Sequence, residues 1–281
     1  MPGKLYLCAT PIGNLQDMTP RCIEILKSVD LIAAEDTRNS IKLLNHFEIR
    51  TPMTSYHEYN RYDKAEELTE KILAGANVAC ITDAGTPGIS DPGEILAQKC
   101  IEAGIEVSSV PGACACISAL IVSGLPTRRF RFEGFLPEEK KERCAILENL
   151  KNDTATLIFY EAPHRLVKTL QDLFDMLGDR KIVLCKELTK RYENVYRTIL
   201  SEATEHFEKE EPRGEYVLVV AGRTQEELKK EAEEAFRELP IEEHLERYLA
   251  EGLDRMEAMK RVAKDRGLSK REIYKSLNCH N

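Results

Sequence analysis

The chain has 281 residues, 42% hydrophobic and 31% charged, enough for two domains with a full hydrophobic core and no structural disulfide or metal. Its 40 basic residues face 48 acidic ones, a formal net charge of −8, so any nucleic-acid site has to be a local basic patch. No run approaches the ~18–20 consecutive apolar residues of a membrane span. Met1-Pro-Gly-Lys4 leads directly into a strand-like run, and nine scattered cysteines without Cys-x-x-Cys or zinc spacing are expected to be reduced thiols of a cytoplasmic protein.

Residues 4–9 are a predicted strand, and Thr19 before Pro20 is a helix start with the threonine as N-cap. Strands are expected over 30–34, 52–56, 77–82 and 106–110. Helices are expected over 39–47, 63–74 and 92–103, the second burying Ala65, Leu68, Ile72 and Leu73, the third opened by an Asp91-Pro92-x-Glu94 capping box. This βαβα alternation predicts a parallel sheet with helices on both faces. From residue 113 a small-residue helix (113–123) precedes a strand (129–134), a long helix (140–150), a strand (154–160), a helix (164–177) and strands at 181–187, 195–200 and 214–221. Adjacent strands without helices between them predict a mixed sheet.

Residues 224–254 carry eleven acids against four bases, and residues 255–275 carry eight bases against three acids. The first stretch reads as a solvated helical linker. The second belongs to a compact helical unit, with helices over 241–251 and 255–266 and a Ser269-x-x-Glu272 capping box before a last one, a helix-turn-helix-like arrangement. The expected organisation is therefore 1–112 and 113–223 as two α/β domains, 224–240 as an acidic linker and 241–281 as a basic helical tail.

Glycine-rich turns after parallel strands are where α/β proteins hold ligands. Three occur: Thr10-Pro-Ile-Gly13-Asn-Leu15, Asp83-Ala-Gly85-Thr-Pro87-Gly88-Ile-Ser-Asp91-Pro-Gly93 and Pro111-Gly112-Ala113. None matches a dinucleotide or P-loop fingerprint, and each alone could be a structural turn; together they favour a ligand crevice. Two polar clusters follow other strands. In Ala34-Glu35-Asp36-Thr37-Arg38 the acids either cap a helix beside a salt bridge or face the crevice, with Arg38 binding a phosphate or orienting an acid. In Tyr56-His57-Glu58-Tyr59-Asn60 a titratable histidine lies beside an acid, on a surface turn or at the site; Asp17 could also face the crevice. Cys114-x-Cys116, the one close cysteine pair, reads as two small side chains on a packed turn.

The first, second and third of these turns, with Ala34–Arg38, Glu133-Gly-Phe-Leu-Pro137, Ile158-Phe-Tyr-Glu161 plus His164-Arg165, and Glu187-Leu-Thr-Lys190, occur in one order that resembles the tetrapyrrole (corrin/porphyrin) methylase superfamily. The resemblance covers about residues 4–222 and is nearest to the branch that methylates small-subunit ribosomal RNA on the 2′-oxygen of a cytidine ribose. It implies two α/β domains, a homodimer, and S-adenosylmethionine held in a cleft between the domains. Carried over by motif, the cofactor would contact Ile12, Gly13, Asp83, Gly85, Thr86, Pro87, Ile89, Gly112, Ala113, Cys114 and Ala115 from the first half. Tyr160, Glu187, Leu188, Gly214 and Glu215 would serve from the second. No general base follows from the resemblance. By residue type the candidates are Glu35, Asp36, His57 and Glu58, with Arg38 beside them. Candidate contacts to 16S rRNA are Arg128, Arg129, Arg131, Lys140, Lys141, Arg143, Lys270 and Arg271. Other substrates fit the same fold, a tetrapyrrole among them, and so does an RNA-binding assembly factor without catalysis; no metal is expected.

Overall fold

The computed structural model describes residues 1–278, which form two compact units. The first unit holds both sheets. Its opening part runs β1 (Lys4–Cys8), α1 (Pro20–Ser28), β2 (Leu31–Ala34), α2 (Thr37–His46), β3 (Met53–Ser55), α3 (Arg61–Leu73), β4 (Val78–Ile81), α4 (Gly93–Glu102) and β5 (Glu106–Val110). All strand pairs are parallel, in the order β3-β2-β4-β1-β5. Alternation along the strands splits the core into two layers. Cys8, Ile32, Ala34, Ala79 and Ile81 pack with Cys22, Leu26 and Leu44 of α1 and α2, while Leu5, Ala33, Val78 and Cys80 pack with Leu68, Ile72, Leu96 and Cys100 of α3 and α4.

The predicted start of α1 is observed, with Thr19 Oγ1 accepting from Cys22 N. Two details differ. Leu73, expected on the buried stripe of α3, is 46% exposed, and Thr69 is buried instead, its hydroxyl bonded to Ala65 O. Helix α4 has no Asp91–Glu94 box; the Asp91 carboxylate folds its own loop, accepting from Gly88 N at 2.9 Å and Gly93 N at 2.8 Å.

The chain continues through α5 (Ala115–Ser123), β6 (Phe130–Phe135), α6 (Lys140–Leu150), β7 (Thr156–Glu161), α7 (Pro163–Leu177), β8 (Lys181–Lys186), β9 (Asn194–Ile199), α8 (Leu200–Lys209) and β10 (Tyr216–Val220). The second sheet has the order β6-β7-β10-β8-β9, with only β6 and β7 parallel. Cys116, Ala119 and Leu120 of α5 pack against Ile158, Val183, Cys185, Val217 and Val219 on one face of this sheet. Helix α8 is absent from the sequence-based expectation. Its first turn is satisfied from a distance, Asp179 accepting from both Ser201 N and Ser201 Oγ, so no local cap marks it.

The second unit comprises residues 149–154 and those from 222 onward. It contains α9 (Gln225–Glu238), opened by a Thr224–Glu227 capping box, then α10 (Ile241–Ala250), α11 (Arg255–Asp265) and α12 (Lys270–Asn278), whose start carries the expected Ser269–Glu272 bonds. Leu245, Ala258, Val262, Ala263 and Ile273 form its core. Arg266 reaches into this core and donates through Nε to His244 Nδ1 at 3.2 Å. Burial, then the Arg266 charge, holds the His244 pKa below its ordinary value. Cys279 and the last two residues of the expected tail lie outside the described residues.

Candidate active site

The parallel order of the first sheet brings the C-terminal ends of β2, β4, β1 and β5 side by side along one edge. The glycine-rich turns follow β1, β4 and β5, and Glu35 follows β2. They are tied together by backbone: Thr10 N donates to Gly85 O at 2.8 Å and Gly85 N to Thr10 O at 3.1 Å, while Thr86 Oγ1 donates to Ala113 O at 3.0 Å. Gly85 has φ +87°, and a Cβ there would stand 3.2 Å from Ile12 Cγ2, so this crossing of two turns requires glycine.

Facing these turns, the second sheet presents the ends of β7 and β8 and the start of β10. Tyr216 pairs with both Glu161 and Lys186, so antiparallel pairing places all three termini at the same edge. Between the two sheets lies a cavity of about 360 Å³. Ile12, Glu35, Asp83, Gly85, Thr86, Ile89, Cys114 and Ala115 line it from the first side; Tyr160, Glu187, Leu188 and Glu215 line it from the second. Most sequence-derived cofactor residues are therefore gathered here. Gly13, Pro87, Gly112, Ala113 and Gly214 are not among the lining residues. A Cβ on Gly112 would meet Ala9 Cβ at 2.9 Å, one on Gly214 would meet Glu187 Cγ at 2.6 Å, and Lys190 lies across Gly13.

Several ionisable groups at the site are tied to their neighbours. Asp83 accepts from Asp36 N and Asn39 Nδ2, but burial pushes its pKa up. Glu35 Oε2 accepts from Thr82 Oγ1 at 2.6 Å and Asp83 N at 3.3 Å, which fixes it beside Asp83. Burial acts against the Glu187 carboxylate, yet the Glu215 N–H and the Lys190 ammonium outweigh it and lower the pKa. Lys190 bridges Glu187 at 3.0 Å and Glu215 at 2.7 Å. Burial pushes the Tyr160 hydroxyl upward, and this group accepts from Cys116 N at 3.1 Å.

The other catalytic candidates lie elsewhere. Asp36 caps α2 and makes a two-point ion pair with exposed Arg38, which holds its pKa at about 2; this is the helix-capping alternative. His57 and Glu58 follow β3, the outer strand, separated from β4 by β2. Neither lines the cavity, Glu58 pairs with Arg61, and Asp17 ends a 3-10 turn outside the lining. Among the basic candidates, Arg128, Arg129, Lys140, Lys141, Lys270 and Arg271 are exposed, and Arg131, also exposed, pairs with Glu133. Arg143 corrects the sequence reading. It is 2% exposed, paired with Asp172 at 2.6 Å, and donates to Pro137 O and Glu138 O, so it fastens the 137–138 loop to α7 and offers nothing to RNA. Lys190 and the Glu161–Arg165 pair were missed as wall-builders, although both lie in quoted motifs.

The cavity fits the cofactor class that the resemblance implies. Its size is within the ~300–1,000 Å³ of small-ligand sites. Ile12, Ile89, Tyr160, Leu188 and Val217 offer apolar surface for a flat base, and the lining acids outnumber Lys190, its one lining base among the described residues. That charge suits a ligand carrying positive charge.

Residues 4–204 match the family described as Tetrapyrrole (Corrin/Porphyrin) Methylases. The chain is 50% identical over 273 residues to the ribosomal RNA small subunit methyltransferase I of Synechocystis sp., covering 97% of this chain and 96% of that protein. It is 47% identical over 272 residues to the protein of the same name from Bacillus subtilis, with coverage of 97% and 93%. Among solved structures, diphthine synthase superposes with a TM-score of 0.60 at 12% identity, over 78% of this chain and 90% of that one. Uroporphyrin-III C-methyltransferase from Thermus thermophilus, complexed with S-adenosylhomocysteine, superposes with a TM-score of 0.55 at 19% identity, over 78% and 97%.

Proposed function

Because the chain belongs to the Tetrapyrrole (Corrin/Porphyrin) Methylases, we propose that it is an S-adenosylmethionine-dependent methyltransferase whose substrate is the ribose 2′-hydroxyl of a cytidine in 16S rRNA. The observation that carries this reading is the acid-lined cavity at the joined strand ends, whose first wall is built from the family's motifs. The names of the relatives support an RNA substrate.

When bound, the cofactor supplies a sulfonium-activated methyl group. The chain's own residues align, shield and accept a proton. Gly85 lets two turns cross closely at the first wall, and apolar Ile12, Leu188 and Val217 exclude water, which favours an in-line displacement. Glu35 and Asp83 stand together at the ends of adjacent strands, and one of them accepts the 2′-hydroxyl proton. Asp83 is the better suited, because burial raises its basicity toward the working pH.

RNA is held by exposed Arg128, Arg129, Arg131, Lys140 and Lys141 in the first unit and by Lys270 and Arg271 in the second. A homodimer is part of the reading. Ile117 (42% exposed) and Ile121 (69%) leave an apolar stripe on α5 one turn apart, and a second copy would cover it. A cytoplasmic location accords with the substrate; among the described residues no helix is long and apolar enough to cross a membrane.

The test incubates the protein with methyl-labelled S-adenosylmethionine and, separately, naked small-subunit RNA, small subunits and a tetrapyrrole precursor. Label on a cytidine 2′-oxygen is the expected result. Label on the tetrapyrrole alone would transfer the assignment to a small-molecule methylase, and RNA binding without any transfer would leave a non-catalytic assembly factor. Lys270→Ala with Arg271→Ala is expected to flatten the log–log salt dependence of RNA binding by about 1–2, with cofactor affinity unchanged.

A further inference from the structure

Of the eight cysteines among the described residues, six are buried and Cys144 is half-buried; Cys114 is half-buried and lines the cavity. Its Sγ stands 3.4 Å from Cys116 Sγ. Cys114 is the N-cap residue of α5, and its carbonyl is fixed by Ser118 N and Ser118 Oγ. Cys116 sits in the first turn, and its N–H holds the Tyr160 hydroxyl of the opposite wall. The pair therefore joins both walls of the cavity. Cys8 and Cys22, also neighbouring thiols, are sealed at 0% exposure and reach no solvent.

We propose that Cys114 and Cys116 are a modification site, a thiol pair that hydrogen peroxide or another two-electron oxidant converts to a disulfide, closing the cavity to its cofactor. The closure rests on the cofactor reading above; the crosslink does not. The Cys114 thiol is pulled down, first by the hydrogen bond from Cys116, against burial, and then by the N–H groups of Ile117 and Cys116. Of the two sulfurs, Cys114 is therefore the attacking species, as the cavity-lining one.

The Cys114 thiolate attacks a peroxide oxygen: an S–O bond forms, the O–O bond breaks, and the departing hydroxide takes a proton to become water. The sulfur is oxidised to a sulfenic acid and the peroxide is reduced. Cys116 sulfur then attacks the Cys114 sulfur. The S–S bond forms, the S–O bond breaks, and the hydroxyl leaves as water with the Cys116 proton, so two thiols and one peroxide give one disulfide and two waters. Bond formation draws the sulfurs from 3.4 Å to about 2.0 Å, which pulls on the α5 first turn and on the Tyr160 contact.

The full-length protein is treated with hydrogen peroxide, mapped by peptide mass spectrometry and titrated with S-adenosylhomocysteine in a calorimeter. A Cys114–Cys116 crosslink is expected before Cys144 is modified, with affinity reduced at least fivefold and restored by dithiothreitol. Saturating S-adenosylhomocysteine should slow the crosslink. In Cys116→Ser, Cys114 should stop at the sulfenic acid and be captured by dimedone. Cys114 reacting no faster than Cys144, or a complete crosslink that leaves affinity unchanged, overturns the proposal. Reduced protein that binds no S-adenosylhomocysteine overturns the cofactor reading and the closure with it, while the mass map still decides the crosslink.

Discussion

In the first sheet five parallel strands deliver their C-terminal ends to one edge, whereas in the second only β6 and β7 run parallel and the remaining pairs alternate direction. The first wall of the cavity is consequently made of loops, and its fit depends on backbone: Gly85 and Gly88 both have φ +87°, and the turns bond to each other through main-chain groups. The second wall has two strand ends and one strand start, and its fit depends on side chains: Tyr160, Leu188 and the Lys190 bridge between Glu187 and Glu215. Its irregular backbone adds a side-chain bond to the main-chain ones: Glu187, at φ +51°, donates its N–H to Glu215 O and accepts from Glu215 N through Oε1. A parallel edge gathers many loops and can carry chemistry on them; a mixed edge gathers fewer and works as a fitted lid.

If that division holds, the largest losses come from the carboxylates of the first wall. Asp83→Asn and Glu35→Gln are each expected to be tested by turnover at saturating cofactor, with the residue that accepts the proton losing about 10²–10⁴-fold. A loss within a few-fold for both would show that alignment alone drives the step. The pH profile sharpens this. Asp83 must be ionised to accept a proton, and burial raises its pKa, so turnover should fall on acidification from above the ordinary aspartate range. That limb should vanish in Asp83→Asn. The stability sign is opposite. A carboxyl with a raised folded pKa disfavours folding once ionised, and the penalty is relieved as pH drops through that pKa, so Asp83→Asn should melt no lower than the parent at neutral pH. Asp36, held at about 2 by Arg38, stays charged throughout and contributes no such limb.

Next in size is Arg143→Ala, which tests whether the charges of the second half are structural. Removing the guanidinium strands Asp172 and frees the 137–138 carbonyls. Breaking such a buried pair costs about 3–5 kcal/mol, read by urea unfolding. RNA affinity of the folded variant should equal the parent's, in contrast to the exposed Lys140 and Lys141.

Much of this was legible in the sequence, for local reasons. Period-two strands, the Thr19-Pro20 start and the Ser269–Glu272 box are written in neighbouring residues, and so were the turns at Gly85 and Gly112. What stayed hidden depended on partners far along the chain. Helix α8 takes its cap from Asp179, and Arg143 looks like one more surface cation until Asp172, 29 residues away, is placed beside it. Glu35, Asp36, His57 and Glu58 all qualified by residue type, Glu35 and Asp36 favoured for following a buried strand and His57 as a conventional base. Strand order separates them, because β2 adjoins the central strands and β3 does not, and the Asp36 cap then turns that carboxylate toward Arg38.

The smallest effects compare the walls directly, one substitution on each, by calorimetry with S-adenosylhomocysteine. Gly85→Ala adds one methyl to the first wall. It places a Cβ at φ +87°, a region costing an L-residue roughly 1–2 kcal/mol, and meets Ile12 Cγ2 at 3.2 Å, so the turn must shift. Affinity should fall about two- to fivefold if half of that cost appears in binding. Tyr160→Phe removes one oxygen from the second wall and leaves its ring against Phe132 and Phe135, at centroid distances of 4.9 and 5.6 Å. The loss is one hydrogen bond from Cys116 N, about 1 kcal/mol, so the complex should weaken by at most about fivefold. A first wall that tolerates the methyl while the second fails on losing the hydroxyl would reverse the division, and the cofactor would then be held chiefly by the lid.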